Sequence, residues 1–175
     1  MQNKVFRIAI TGPESTGKSQ LAKELAYYFN TVWVKEFART FLNNLNREYV
    51  YDDILNIAIQ QIENENTLAM NANSFIFCDT DLTVCKIWCE FKYKKCHEWI
   101  NESFKNHVYD LYLLCDIDLP WEYDPQRENA DERTELFNLY VAALQSENFP
   151  FVIISGSGIQ RTKNAINEII KKFEK

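Results

Sequence analysis

Glycine is scarce: four of the 175 residues. Two stand together near the start (Gly12 and Gly17) and two near the end (Gly156 and Gly158). Long apolar runs are missing as well. None approaches the roughly 18 residues a membrane-spanning helix needs, and no leader precedes the first apolar segment, so a soluble cytoplasmic protein is expected. Positive charge is short: 19 Lys and Arg against 25 Asp and Glu leave a net charge of −6 and a pI near 5.0, which argues against a broad nucleic-acid-binding face. The one basic cluster, Lys92, Lys94 and Lys95, is flanked by Glu90 and Glu98 and reads as a solvated loop. Repeats, low-complexity tracts and linkers are absent, so residues 1–175 read as a single domain. The five cysteines are an odd number without a C-x-x-C pair. Cys85 and Cys89 share a helix face and Cys96 adjoins His97, so a zinc site is conceivable. The apolar neighbours Val84, Ile87 and Phe91 favour buried, reduced thiols instead.

What is present excludes a disordered chain: 46% hydrophobic and 14% aromatic residues. Residues 12–19 read Gly12-Pro13-Glu14-Ser15-Thr16-Gly17-Lys18-Ser19, a complete G-x-x-x-x-G-K-[ST] phosphate-binding loop. Val5, Ile8, Ala9 and Ile10 lead into it as a strand, and Leu21, Leu25, Ala26 and Phe29 leave it at helical spacing. At a helix start the unpaired backbone N–H groups attract phosphate oxygens. Gly12 and Gly17 permit the torsions and close approach this needs. Lys18 supplies a point charge for the terminal phosphates, and Ser19 a hydroxyl for Mg²⁺.

Five apolar runs read as strands: Val5–Ile10, Val32–Val34, Phe75–Cys78, Tyr109–Cys115 and Phe151–Ile154. Several lack alternation, as parallel strands buried on both faces do. Helical patterns lie between them, clearest over 52–70 after Asp52 and Asp53 as caps, and over about 159–173. Strand–helix alternation implies a three-layer α/β sandwich whose ligands bind at the carboxyl ends of the strands. Those exits are polar: Lys35-Glu36-Phe37-Ala38-Arg39, Asp79-Thr80-Asp81, Asp116-Ile117-Asp118 and Ser155-Gly156-Ser157-Gly158.

Asp79 ends an apolar strand, the form of an acid that holds Mg²⁺ through water; capping the next helix is the alternative. Asp81, just before Leu82-Thr83-Val84, suits a cap or a substrate contact. Glu36 could accept the proton of an attacking hydroxyl, or pair with Arg39 one helical turn on. Residues 119–137, punctuated by Pro120 and Pro125, would form a lid carrying Arg127 and Arg133 to a transferring phosphoryl group, or else a charged surface helix. Trp33, Trp88, Trp99 and Trp121 could stack on a planar acceptor, although most large aromatics serve the core.

Taken in order, these segments resemble the ribosylnicotinamide kinase domain of the NadR family. The resemblance is carried by residues 12–19, Glu36-x-x-Arg39, Phe77-Cys78-Asp79-Thr80-Asp81, Tyr109-Asp110-Leu111-Tyr112-Leu113-Leu114, Pro120-Trp121, Asp124-x-x-Arg127 and Arg133. It implies a P-loop NTPase fold with a five-stranded parallel sheet in the order 2-3-1-4-5 and a helical lid. It further implies ATP-dependent phosphorylation of nicotinamide riboside with Mg²⁺. Lys18, Glu36, Asp79, Arg127 and Arg133 would be catalytic, and Ser19 and Asp79 would hold the metal. Gln20 and Arg161 would join the loop in binding ATP, with residues 156–161 holding the adenine. Glu36, Arg39, Asp81 and Trp121 would contact the acceptor. The family's DNA-binding and adenylyltransferase activities are not expected in this segment. One departure is Asp124-Pro125-Gln126-Arg127, where the family commonly has Asp-Gly-Leu-Arg; Pro125 stiffens that hinge. Another nucleoside or nucleotide acceptor, or a regulatory ATPase without one, is the alternative. A GTPase is disfavoured because no Asn-Lys-x-Asp motif occurs.

Overall fold

A computed structural model describes residues 4–173. Five parallel strands form one sheet: β1 (Phe6–Thr11), β2 (Trp33–Val34), β3 (Phe75–Asp79), β4 (Leu111–Cys115) and β5 (Phe151–Ile154), in the order β2-β3-β1-β4-β5. That is the arrangement implied above. Seven helices are described: α1 (Lys18–Tyr28), α2 (Phe37–Asn43), α3 (Tyr51–Ala69), α4 (Leu82–Tyr93), α5 (Glu98–Asn106), α6 (Arg133–Ser146) and α7 (Gly158–Phe173). None is long and apolar enough to cross a membrane.

Both faces of the sheet are covered, which explains the unbroken apolar strands. On β1, Ile8 and Ile10 pack with Leu21, Leu25, Ala165 and Ile169 beneath α1 and α7. Ala9 between them faces the opposite cluster, which holds Ile54, Ala58, Leu82, Ile87 and Leu136 from α3, α4 and α6. Register sets the level of the cleft: Ile10 lies beside Asp79 on one side and Leu113 on the other. The chain therefore leaves β1 and β3 side by side.

Helix starts differ in detail from the sequence reading. The residue preceding α3 is Val50, and Asp53 accepts its N–H at 2.8 Å from inside the first turn, held there by Arg47 at 2.6 and 2.9 Å. Asp81 precedes α4. The basic cluster is not a loop throughout, because Lys92 belongs to the last turn of α4 and Lys94 ends that helix in a left-handed conformation. All five cysteines are free, four of them buried. No group of three or more metal-ligating His, Cys, Asp or Glu side chains occurs among the described residues.

Candidate active site

The phosphate loop is shaped by contacts that only glycine permits at its start. Gly12 has φ +128°, and a Cβ there would stand 2.9 Å from the backbone oxygen of Cys115 at the end of β4. The loop thus packs against β4 directly. Thr16 Oγ1 donates to the Pro13 carbonyl at 2.8 Å, and Lys18 Nζ donates to the Gly12 and Pro13 carbonyls at 2.9 and 2.7 Å. Lys18 opens α1 directly after the left-handed Gly17, with no acidic side chain in that helix's first turn. The positive end of the helix therefore stays unneutralised by its own sequence.

Beside the loop, Asp79 is 3% exposed and its Oδ1 has no hydrogen-bond partner. Burial raises its pKa above the ordinary value, while the Ser19 hydroxyl and the Lys18 ammonium pull it back down. A buried carboxylate oxygen without a partner is costly unless a cation satisfies it. The hard oxygen donors of Asp79 and Ser19 suit Mg²⁺. The next residue, Thr80, takes φ +71°, a strained conformation for a β-branched side chain. Its N–H is tied to the Ile10 carbonyl at 3.0 Å. The kink separates Asp79, which lies beside Ser19 and Lys18 without lining the cavity, from Asp81, which turns into the core.

A cavity of about 560 Å³ opens above the sheet. Its floor is the phosphate loop through Gln20, with Glu36 and Arg39 on one side and Arg127 on the lid side. Burial raises the pKa of Glu36, opposed by Lys18, Arg39 and Arg127 and reinforced by Asp79. The opposite wall is aromatic and apolar: Val84, Ile87, Trp88 and Phe91 of α4, joined by Tyr49. Their spacing of i, i+3, i+4 and i+7 places the four α4 residues on one helix face. Lys92 and the lid residue Glu128 rim this wall.

Several candidates lie elsewhere. Asp81 is 1% exposed and accepts from Thr11 and Thr83 hydroxyls at 2.7 and 2.5 Å; it occupies the position preceding α4 without a side-chain capping bond to that helix, and it does not line the cavity. Trp121 is also outside it, with the Arg133 guanidinium 6.0 Å over its ring; Trp88 occupies the wall instead. Arg133 donates to the Leu119 and Ser15 carbonyls at 2.9 and 3.2 Å, tying the lid to the back of the loop. Arg161 is 4% exposed. Its guanidinium donates to the carbonyls of Gly156, Thr16, Ile154 and Asp116 and to the Asp118 carboxylate. Those acceptors use all of its donors, so it braces the loop from behind and has none left for adenine. Tyr49, Phe91, Lys92 and Glu128 were missed by sequence reasoning. The only signal was the α4 periodicity, which had been assigned to shielding cysteines.

The expected lid of residues 119–137 divides at Arg133, where α6 begins; its part before that helix, residues 119–132, is docked on the loop through Ser15. The Glu122 N–H donates to Ser15 Oγ at 2.9 Å, and Arg127 donates to the same oxygen at 3.3 Å.

Strand order and phosphate loop together define a P-loop NTPase fold, built like the nucleoside kinases. The chain belongs to a family described as an AAA domain, whose profile matches residues 7–161. The likeness to NadR is borne out. The trifunctional NAD biosynthesis/regulator protein NadR of Escherichia coli (strain K12) is 30% identical over 154 residues. That match covers 85% of this chain and 38% of NadR, so the chain spans well under half of that relative's length. A crystal structure of NadR protein in complex with NR superposes with a TM-score of 0.81 at 20% identity, covering 96% of this chain and 50% of that one. A deoxyadenosine kinase from M. mycoides superposes with a TM-score of 0.65 at 12% identity, covering 95% of this chain and all of the other.

Proposed function

We propose that the protein is an ATP-dependent kinase that phosphorylates the ribose hydroxyl of nicotinamide riboside, giving nicotinamide mononucleotide. The observation that carries this reading is the sharing of one cavity by Glu36, the phosphate loop and the aromatic wall around Trp88. The acceptor's base packs against that wall, and its hydroxyl reaches Glu36. The hydroxyl oxygen attacks the γ-phosphorus of ATP, its proton passes to the Glu36 carboxylate, and the bond to the β-phosphate oxygen breaks to release ADP. Lys18 leaves its loop carbonyls to meet the terminal phosphates, and Arg127 compensates charge on the transferring group. Ser19 directly, and Asp79 through water, would hold Mg²⁺, which supplies charge neutralisation between the phosphates when bound.

A nucleoside suits the acceptor side better than a nucleotide. Lys92 is paired with Glu128 at 3.0 Å and Arg39 with Asp124 at 2.8 Å, so these cations are already matched and not reserved for an acceptor phosphate. The likeness to deoxyadenosine kinase supports a second reading, in which another nucleoside is phosphorylated. Within either reading the chain acts as one kinase unit. Its free cysteines fit a reducing compartment such as the cytoplasm.

The test is turnover of Mg²⁺-ATP by the purified chain with nicotinamide riboside, uridine, deoxyadenosine or no acceptor, with products identified by mass. Nicotinamide mononucleotide should form fastest. A preference for uridine or deoxyadenosine would overturn the acceptor and keep the kinase. ATP hydrolysis indifferent to every nucleoside would sink the kinase in favour of a regulatory ATPase.

A further inference from the structure

Glu128 faces both halves of the cleft at once. Its backbone N–H and that of Asn129 donate to the Glu14 carboxylate of the phosphate loop, at 3.1 and 3.0 Å to the same oxygen. Its side chain points the other way. There it accepts the Tyr49 hydroxyl at 2.8 Å and the Lys92 ammonium at 3.1 and 3.0 Å. The Tyr49 oxygen in turn accepts from Trp88 Nε1 at 3.0 Å and from Lys92 at 2.5 Å.

Every group in this set is satisfied. Tyr49 has one proton, given to Glu128, and its lone pairs take two donors. Trp88 has one N–H, given to Tyr49, and the two rings meet edge to face at 4.9 Å. The Lys92 ammonium lies 4.1 Å over the Tyr49 ring. Burial pushes the Tyr49 phenol up to about 12, so it keeps its proton at neutral pH. The Lys92–Glu128 ion pair alone would hold little, since both side chains are more than one third exposed. The directional bonds through Tyr49 are what fix Trp88.

We propose that Glu128, acting through Tyr49, is a positioning residue that couples docking of the lid on the donor loop to orientation of the Trp88 wall. The coupling rests on the kinase reading only for its consequence, which is selection of the acceptor. An acceptor that displaces Trp88 breaks the bond to Tyr49, loosens Glu128 and with it the contact to Glu14. One that packs flat leaves the set intact and the lid closed.

Tyr49→Phe keeps the ring and deletes the hydroxyl, leaving the Lys92–Glu128 pair in place. The acceptor KM should rise about three- to tenfold, the scale of one or two partly exposed hydrogen bonds, with kcat and the ATP KM within twofold. Exchange of the Glu128 and Asn129 amides, followed by NMR with a non-hydrolysable ATP analogue bound, should accelerate about three- to tenfold. Glu128→Gln, which still accepts from Tyr49, should lie close to the wild type in both measurements, and Glu128→Ala close to Tyr49→Phe. Amide exchange within twofold of wild type in Tyr49→Phe would overturn the coupling, whether or not KM changes. Accelerated exchange in a protein that phosphorylates no nucleoside would leave the coupling standing and remove the kinase.

Discussion

Arg39 reaches across the cleft to Asp124 of the lid, 2.8 Å from its carboxylate, and makes no ion pair with Glu36 three residues earlier among the described residues. The helical i, i+3 relation fails because α2 starts only at Phe37, and Glu36 precedes it with ψ 110°. Outside the helix, Glu36 turns toward the phosphate loop, where Lys18 is its leading favourable charge.

Glu36→Gln should therefore lower kcat by roughly 10²–10⁴-fold, the scale of a lost general base, with ATP affinity nearly unchanged. The pH profile adds a second readout. Because burial raises the Glu36 pKa, kcat/KM should fall on the acid side above the pH where an ordinary glutamate titrates, and that limb should vanish in the glutamine variant. Activity within twofold of wild type would exclude Glu36 as the general base.

Lys18→Ala should reduce phosphoryl transfer by at least roughly 10²–10³-fold, as when one preorganised charge donor is removed from a reacting phosphate or oxyanion. Among the described residues its ammonium binds two loop carbonyls and nothing else, so circular dichroism and thermal unfolding should stay close to wild type. A folded variant with normal turnover would dismiss the phosphate loop as catalytic.

Asp79→Asn should raise the Mg²⁺ concentration for half-maximal rate by about 10–100-fold, the range for losing a partner that orients metal ligands. Asp116→Asn should do much less. Asp116 also ends a strand next to β1, but it is already engaged by the Ser155 hydroxyl and the Ile117 N–H, both at 2.8 Å. A larger Mg²⁺ effect at Asp116 would exchange the two assignments.

Asp81 sets a pH dependence of stability. Burial pushes its pKa up to about 6 from an ordinary 3.8, against the opposing Thr83 and Thr11 hydroxyls. Between those values the native chain holds a proton the unfolded chain has released, so stability falls as pH rises through the window. Asp81→Asn lacks this step. In urea unfolding the variant should gain on the wild type by about 2 kcal/mol between pH 4.5 and pH 7.5. An offset equal at both pH values would contradict the buried ionisation.

Contiguity decided what could be read beforehand. The phosphate loop is eight consecutive residues, and the strands are short apolar runs; Phe151–Ile154 has the expected bounds. Tyr109 and Asp110 fall outside β4 because Asp110 exchanges hydrogen bonds with Arg7, accepting its N–H and donating to its carbonyl. The aromatic wall was illegible because Tyr49, Trp88, Lys92 and Glu128 meet only after folding. A lysine among other lysines reads as solvated, yet the Lys92 ammonium lies over the Tyr49 ring. Arg161 follows a Gly-Ser-Gly turn that suggested nucleotide contact. Its burial depends on carbonyls converging from separate segments, which no local pattern encodes.

The strand order divides the labour of the molecule along β1. To one side, the exit of β2 and helix α4 supply Glu36 and the aromatic wall of the cavity. To the other, β4, β5 and the buried Arg161 shore up the phosphate loop. Alteration on the first wing need not propagate across the sheet to the second. On the proposed kinase reading, the acceptor can therefore change on one wing while the support of the phosphate loop on the other stays as it is.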